Sequence, residues 1–127
     1  MGMDKSQQEY RDKGGDGTEE INSARKRMKE GRLYFPGDEG IMKEQTDCLE
    51  LLYEYNATRP KESARRAGLL GQMFASVGRD CYIEPPLHSN WGGRHVHLGD
   101  HVYANFNLTL VDDGEIYIGS HCMIVPN

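Results

Sequence analysis

"VHLGDHVYANFNLTLVDDGEIYIGSHCMIVPN", Val96 to Asn127, decides the fold. Laid on itself twenty residues along, Val96 falls on Ile116, Leu98 on Ile118 and Gly99 on Gly119. His101 falls on His121, Val102 on Cys122 and Asn107 on Asn127. Within each copy a branched or small apolar residue returns every sixth position: Leu98, Ala104 and Leu110, then Ile118 and Ile124. The turn signal "DDGE", Asp112 to Glu115, adds two residues to three sixes. A six-residue period with a glycine behind the inward aliphatic is the signature of a parallel β-helix. Each six is one flat side, and three sides make one coil. Leu98 is expected to stack on Ile118 and Val102 on Cys122. Such a solenoid draws its stability from neighbouring coils, and about two are legible here.

Upstream the pattern changes. "CYIEPPLHSNWGG", Cys81 to Gly93, holds a short β-prone run and then Pro85-Pro86, which no helix interior accepts. Before it, three amphipathic helices are predicted. The third runs from Thr58–Pro60 to Val77, with Ala67, Leu70, Phe74 and Val77 at helical spacing and Gly78 closing it. The second runs from Lys43 to Tyr55, with Cys48, Leu51, Leu52 and Tyr55 as its apolar stripe and Asn56 at its end. The first covers 18–34, with Thr18 as N-cap, Ile21, Ala24 and Met28 on one face, and Gly31 loosening its end. "FPGDEG", Phe35 to Gly40, is a loop on turn chemistry. The expected organisation is a polar disordered tail over 1–22, a helical cap over 23–79 and the start of the coil over 80–127. The first helix overlaps the end of the tail.

The 127 residues fit one ordinary domain. With 37% apolar and 28% charged residues, a large free-standing core is not expected, and a partner subunit or further sequence is. The net charge of −5 argues against a nucleic-acid-binding surface, whose footprint is basic. Three widely spaced cysteines without a C-x-x-C read as reduced thiols in a cytoplasmic protein, not as a disulfide framework or a zinc ribbon. The first twenty residues have no apolar core for a signal peptide. No apolar run approaches the roughly 18 residues of a membrane span.

Five segments carry a resemblance to a known family. They are "MKEGRLYFPGDEG" (Met28 to Gly40), "LLYEYNATRP" (Leu51 to Pro60), "LLGQMFASVG" (Leu69 to Gly78), "YIEPPLHSNWG" (Tyr82 to Gly92) and, most specific, "VYANFNLTLVDDGEIYIG" (Val102 to Gly119). Over Arg27 to Asn127 the sequence resembles the galactoside and maltose O-acetyltransferases of the hexapeptide-repeat acyltransferase group. Trp91 replaces the family's usual tyrosine, and "GGRHVHLG" (Gly92 to Gly99) is one residue longer than usual. The resemblance implies a mainly β fold: a left-handed parallel β-helix behind a maltose-acetyltransferase-type helical cap, assembled as a homotrimer. It implies acetyl-CoA as donor and a sugar hydroxyl, typically at the 6-position, as acceptor. Sites would lie between subunits, with direct transfer in a ternary complex and a histidine as general base. A lipochito-oligosaccharide or amino-sugar acceptor stays open.

By the same resemblance, Asn105 and Asp113 match positions that hold the acceptor sugar. A carboxylate accepts from sugar hydroxyls and can orient the reactive one. An asparagine amide both donates and accepts. Asn90 stands where the family places a small polar residue near the sugar. Pro36 occupies the position from which some relatives supply a carboxylate, and Asp38 is the nearest replacement. On the residues alone, Asn105 equally suits a side chain bonding its own backbone at a coil corner. Asp113 equally suits a plain turn before Gly114, and Asp112 reads as the structural member of the pair.

His95 and His97 alternate along a predicted strand, and His101 is expected to stack on His121. Exposed corner positions commonly carry polar residues, so no metal site is expected. Cys122 falls on an inward position and is no nucleophile. The family's base and its CoA-contacting coils correspond to sequence beyond Asn127. No catalytic residue is therefore expected in this chain, and the 127 residues alone are expected not to turn over. The competing reading is a non-catalytic truncated β-helix used for binding or assembly.

Overall fold

The structure, a computed structural model, describes residues 24–35 and 37–126. The tail over 1–22, the start of the first predicted helix, Pro36 and Asn127 lie outside the described residues. The chain divides into two compact units, Met1–Glu44 and Gln45–Asn127.

In the first unit, α1 covers 24–29. Ala24 and Met28, one turn apart on the predicted apolar face, are buried. Gly31 takes a left-handed φ of 68° and ends the turn, where a side chain would be strained. Helix α2, Glu39–Asn56, begins in this unit and continues into the second. Asp38 starts it: Oδ1 accepts from the amides of Gly40 at 3.0 Å and Ile41 at 3.2 Å, two donors that the first turn leaves without helical partners. Arg25 and Glu44 form an ion pair.

In the second unit, α2 buries Leu52 and Tyr55 and half-buries Cys48 and Leu51, the predicted stripe. The Asn56 side chain reaches past the helix end. Its amide donates to Leu87 O at 2.9 Å and its carbonyl accepts from Leu87 N at 2.8 Å. Helix α3 is Ser63–Met73, shorter at both ends than the predicted span. Thr58 belongs instead to the end of α2, where its hydroxyl donates to Tyr55 O at 2.7 Å. At the other end Phe74 turns to an extended ψ of 152°, and the Ala75 amide leaves the helix for Val96 O at 3.0 Å. Val77, given to the helix by its spacing, is in a strand.

Eight strands follow: β1 Ser76–Val77, β2 Tyr82–Ile83, β3 His88–Ser89, β4 Val96–Leu98, β5 Tyr103–Ala104, β6 Thr109–Leu110, β7 Ile116–Ile118 and β8 Met123–Ile124. Every third strand pairs, always in parallel, into sheets β1-β4-β7, β2-β5-β8 and β3-β6. That is a three-sided parallel coil. The later pairings are those of the repeat: Leu98 on Ile118 and Ala104 on Ile124. The earlier turn steps by one residue more, with Val77 on Leu98, Ile83 on Ala104 and Ser89 on Leu110. The helices hold more residues than the strands, because each coil face is only two or three residues long.

Val96, Leu98, Val102 and Ala104 point inward and join Ile83, Leu87 and the helix residues Tyr55, Leu70 and Phe74 in one core. Each valine, leucine, isoleucine or phenylalanine among them contributes roughly 1.5–3 kcal/mol by leaving water. Arg66 of α3 is 6% exposed and fastens helix to coil. Nε donates to Thr58 Oγ1 at 2.7 Å, Nη2 to Thr58 O at 3.1 Å and Nη1 to the Tyr82 hydroxyl at 2.6 Å. Gly78 and Gly99 sit beneath the next turn of chain. A Cβ on Gly99 would lie 2.5 Å from Ser120 Oγ and 2.6 Å from Ser120 N.

Candidate functional site

The polar candidates lie at the corners, where the chain passes from one sheet to the next. Each strand is only two or three residues long and offers one or two outward positions, such as His88 and Thr109, so most of the solvent-facing polar side chains fall between strands. The corner after the β3-β6 sheet is the most elaborate. Two loops stack there, 90–95 above β3 and 111–115 above β6. Asp112, 0% exposed, binds them together. Its Oδ1 accepts from Ser89 Oγ at 2.6 Å and from Trp91 N at 2.8 Å, and its Oδ2 accepts from Gly93 N at 3.0 Å. Its backbone carbonyl meets His95 Nδ1 at 2.7 Å. Three donors on a buried carboxylate offset the cost of removing it from water. Asp112 is thus the structural aspartate of the pair.

The next residue, Asp113, meets Asn90 across the two loops. Asn90 Nδ2 donates to Asp113 Oδ1 at 3.3 Å. Asn90 is exposed and Asp113 half-buried, so the pair is open to a ligand. The Asn90 carbonyl is held by Gln45 Nε2 of α2 at 2.9 Å. The structure therefore brings two of the four predicted site residues together. Asn105 stands at a different corner, between the β2-β5-β8 and β3-β6 sheets. Its Oδ1 accepts from the adjacent Phe106 amide at 2.8 Å, the corner bond that its residue type suggests. Asp38 lies in the other unit and caps α2 through Oδ1.

The histidines are engaged with the coil. His88 Nε2 meets Asn107 Oδ1 at 3.1 Å. His95 is buried against Trp91, with ring centres 5.5 Å apart. His97 bridges Ser76 Oγ at 3.1 Å and Glu115 Oε2 at 2.8 Å, and stacks on Tyr117 at 4.4 Å. His101 and His121 stack at 5.1 Å, as the repeat predicts, and Asp80 lies 3.6 Å from His101 Nδ1. Asp80, His101 and His121 share a left-handed φ of 54°, 56° and 63°, which marks the same corner on each coil. Among the described residues no group of three or more His, Cys, Asp or Glu could hold a metal ion, and no helix is long and apolar enough to cross a membrane. Cys48, Cys81 and Cys122 are free thiols, and Cys122 packs against the core.

Two features escaped the sequence reading. One is the double bond from Asn56 to Leu87, because a helix-closing asparagine carries no mark of a distant partner. The other is a cavity of about 270 Å³ between α2, the end of α3 and the 91–94 loop. The extra residue in "GGRHVHLG" was its only signal.

Repeat, three-sided coil and capping helices together define a hexapeptide-repeat protein with an N-terminal capping motif. Residues 27–78 match the maltose acetyltransferase hexapeptide capping motif. The chain is a partial-length match to the galactoside and maltose O-acetyltransferase family, over about 80% of its residues. It is 46% identical over 102 residues to a galactoside O-acetyltransferase of Lactococcus lactis subsp. lactis, covering 80% of this chain and 49% of that protein. A maltose O-acetyltransferase structure from Clostridium difficile superposes with a TM-score of 0.79 at 31% identity, covering 82% of this chain and 55% of that one. A galactoside acetyltransferase solved in complex with coenzyme A gives 0.71 at 38% identity, covering 76% and 48%. The chain spans about half the length of the curated relatives it matches.

Proposed function

We propose that these residues form the cap and acceptor side of an acetyl-CoA-dependent O-acetyltransferase that acts on a sugar hydroxyl. The Asn90–Asp113 pair carries the reading: a carboxylate and an amide held 3.3 Å apart on an open corner, in a chain 46% identical to a galactoside O-acetyltransferase. In this reading the coil is left-handed, and because β1 already pairs with β4 it begins at Ser76, ahead of the boundary between 79 and 80 expected from the sequence. The working assembly is a cytoplasmic homotrimer. Asn105 and Asp38, at other places in the chain, join the acceptor site through that assembly.

Asp113 accepts from one sugar hydroxyl, and Asn90 accepts from or donates to a second. Together they fix the orientation of the reactive hydroxyl and remove the rotational freedom that opposes attack. A general base within hydrogen-bond reach takes the hydroxyl proton as the oxygen attacks the thioester carbonyl. The carbon–sulfur bond then breaks, and the CoA thiolate leaves and takes up a proton. Each histidine in the chain already has a partner or stacking neighbour in the coil, so we assign the base to none of them. The 127 residues alone are then silent.

The test is a fusion of residues 1–127 to the C-terminal half of the Lactococcus lactis enzyme. Thiol release from acetyl-CoA is followed with galactosides, maltose and glucose. Asn90→Ala and Asp113→Ala should each lower kcat/KM for the sugar by about 10- to 100-fold, the loss of one or two oriented hydrogen bonds. Unchanged kcat/KM in both variants would remove the acceptor role from this corner.

A further inference from the structure

The cavity beside the 91–94 loop has a composition that neither the coil nor the acceptor corner explains. Its floor is apolar: Leu51 of α2, Met73 and Phe74 at the end of α3, and Trp91. Its rim is charged. Asp47 of α2 lines one part and Arg94 of the loop lines another, with Gln72 between helix and solvent. Both charged side chains are exposed, and neither forms an ion pair with a described residue. Two opposite charges line one small rim and are not paired with each other, which leaves room for a ligand that pairs with both. Arg94 Nη1 lies 3.8 Å from Cys48 Sγ, a weak acceptor that leaves the guanidinium free to take a ligand's carboxylate.

The walls are rigid. Trp91 N and Gly93 N are fixed on the Asp112 carboxylate. Gly92 presses on Cys48 O and Gly93 on the Phe74 ring so closely that a Cβ would meet them at 2.7 Å and 2.3 Å. A preformed site costs little ordering on binding. About 270 Å³ holds a side-chain-sized apolar body, and the guanidinium matches a carboxylate in bidentate geometry.

We propose that this cavity binds a small zwitterion with an apolar body, of the class of the aromatic and large aliphatic α-amino acids. The carboxylate meets Arg94, the ammonium meets Asp47, and the apolar body rests on Leu51, Met73, Phe74 and Trp91. The proposal does not depend on the acetyltransferase reading.

Calorimetric titration of the 127-residue chain with L-phenylalanine tests it, beside 3-phenylpropionate, which lacks the ammonium, and 2-phenylethylamine, which lacks the carboxylate. L-phenylalanine should bind about tenfold more tightly than either analogue. Arg94→Gln should weaken L-phenylalanine and 3-phenylpropionate about tenfold and leave 2-phenylethylamine unchanged. Asp47→Asn should weaken L-phenylalanine and 2-phenylethylamine and leave 3-phenylpropionate unchanged. Both positions are exposed, and circular dichroism checks that each variant folds. No heat of binding with L-phenylalanine, or equal affinity for all three compounds in every variant, would overturn the proposal.

Discussion

The Ser89 hydroxyl donates to the Asp112 carboxylate at 2.6 Å, across the two loops of one corner. This bond, with those from Trp91 N and Gly93 N, turns two irregular loops into one rigid piece. The Asn90–Asp113 pair stands on that piece. Asp112→Ala would leave the buried Trp91 amide and the Ser89 hydroxyl without an acceptor, and the Gly93 amide with Ser89 Oγ alone. Urea denaturation should show a loss of about 3 kcal/mol. Asp113→Ala, at the half-buried neighbour, should cost less than about 1 kcal/mol. Equal losses would contradict the division of labour between the two aspartates.

The repeat glycines should differ in tolerance. Gly99→Ala puts a methyl group against the Ser120 backbone, and overpacking of this kind costs about 1–3 kcal/mol. A Cβ on Gly119 would meet nothing within 4 Å, so Gly119→Ala should leave the stability of the 127-residue chain within about 0.5 kcal/mol. Paired thermal melts decide the point.

The Tyr55 phenol is 1% exposed and donates to Ile83 O, joining α2 to the coil. Burial pushes its pKa up to about 12, and Tyr82 and Glu84 add to the rise against the opposing charge of Arg66. A pKa raised on folding favours the protonated folded form. The contribution is fully present below the ordinary tyrosine value of about 10 and is lost as pH rises towards 12. Ultraviolet titration should show one late tyrosine ionisation that disappears in Tyr55→Phe. A wild-type titration complete by pH 11 would contradict it.

Arg66 should resist conservative exchange. Arg66→Lys keeps the charge but cannot reach Thr58 Oγ1, Thr58 O and Tyr82 Oη together. A loss of about 2 kcal/mol is expected by denaturant titration, and no loss would show that charge alone matters there.

The coil was legible where its period was clean. Leu98, Ala104, Ile118 and Ile124 repeat in sixes, and they stack as that spacing requires. The first turn was harder, because its inward positions read Val77, Ile83 and Ser89, and serine breaks the aliphatic pattern. Val77 also extends the helical spacing of Leu70 and Phe74, so period alone favoured a helix there. A two-residue strand carries too little pattern to compete. The pairing with Val96 to Leu98, far along the chain, settles the contest. Asp112 was recognised as structural and is fully buried. Asn90 and Asp113 were each named from the resemblance, but their mutual contact was not visible, because it depends on the register between β3 and β6. Asn105 and Asp38 each have an oxygen on a backbone amide, the local bond that their residue types favour at a coil corner and a helix start, and their acceptor role rests on the resemblance.

Thiol release from acetyl-CoA, measured side by side for the 127-residue chain and for its fusion to the C-terminal half of the Lactococcus lactis enzyme, tests the central claim most directly. The account predicts sugar-dependent release by the fusion and none by the chain alone. Release by the 127-residue chain would contradict the assignment of the base. A folded fusion that releases no thiol with any galactoside, maltose or glucose would contradict the sugar O-acetyltransferase reading itself.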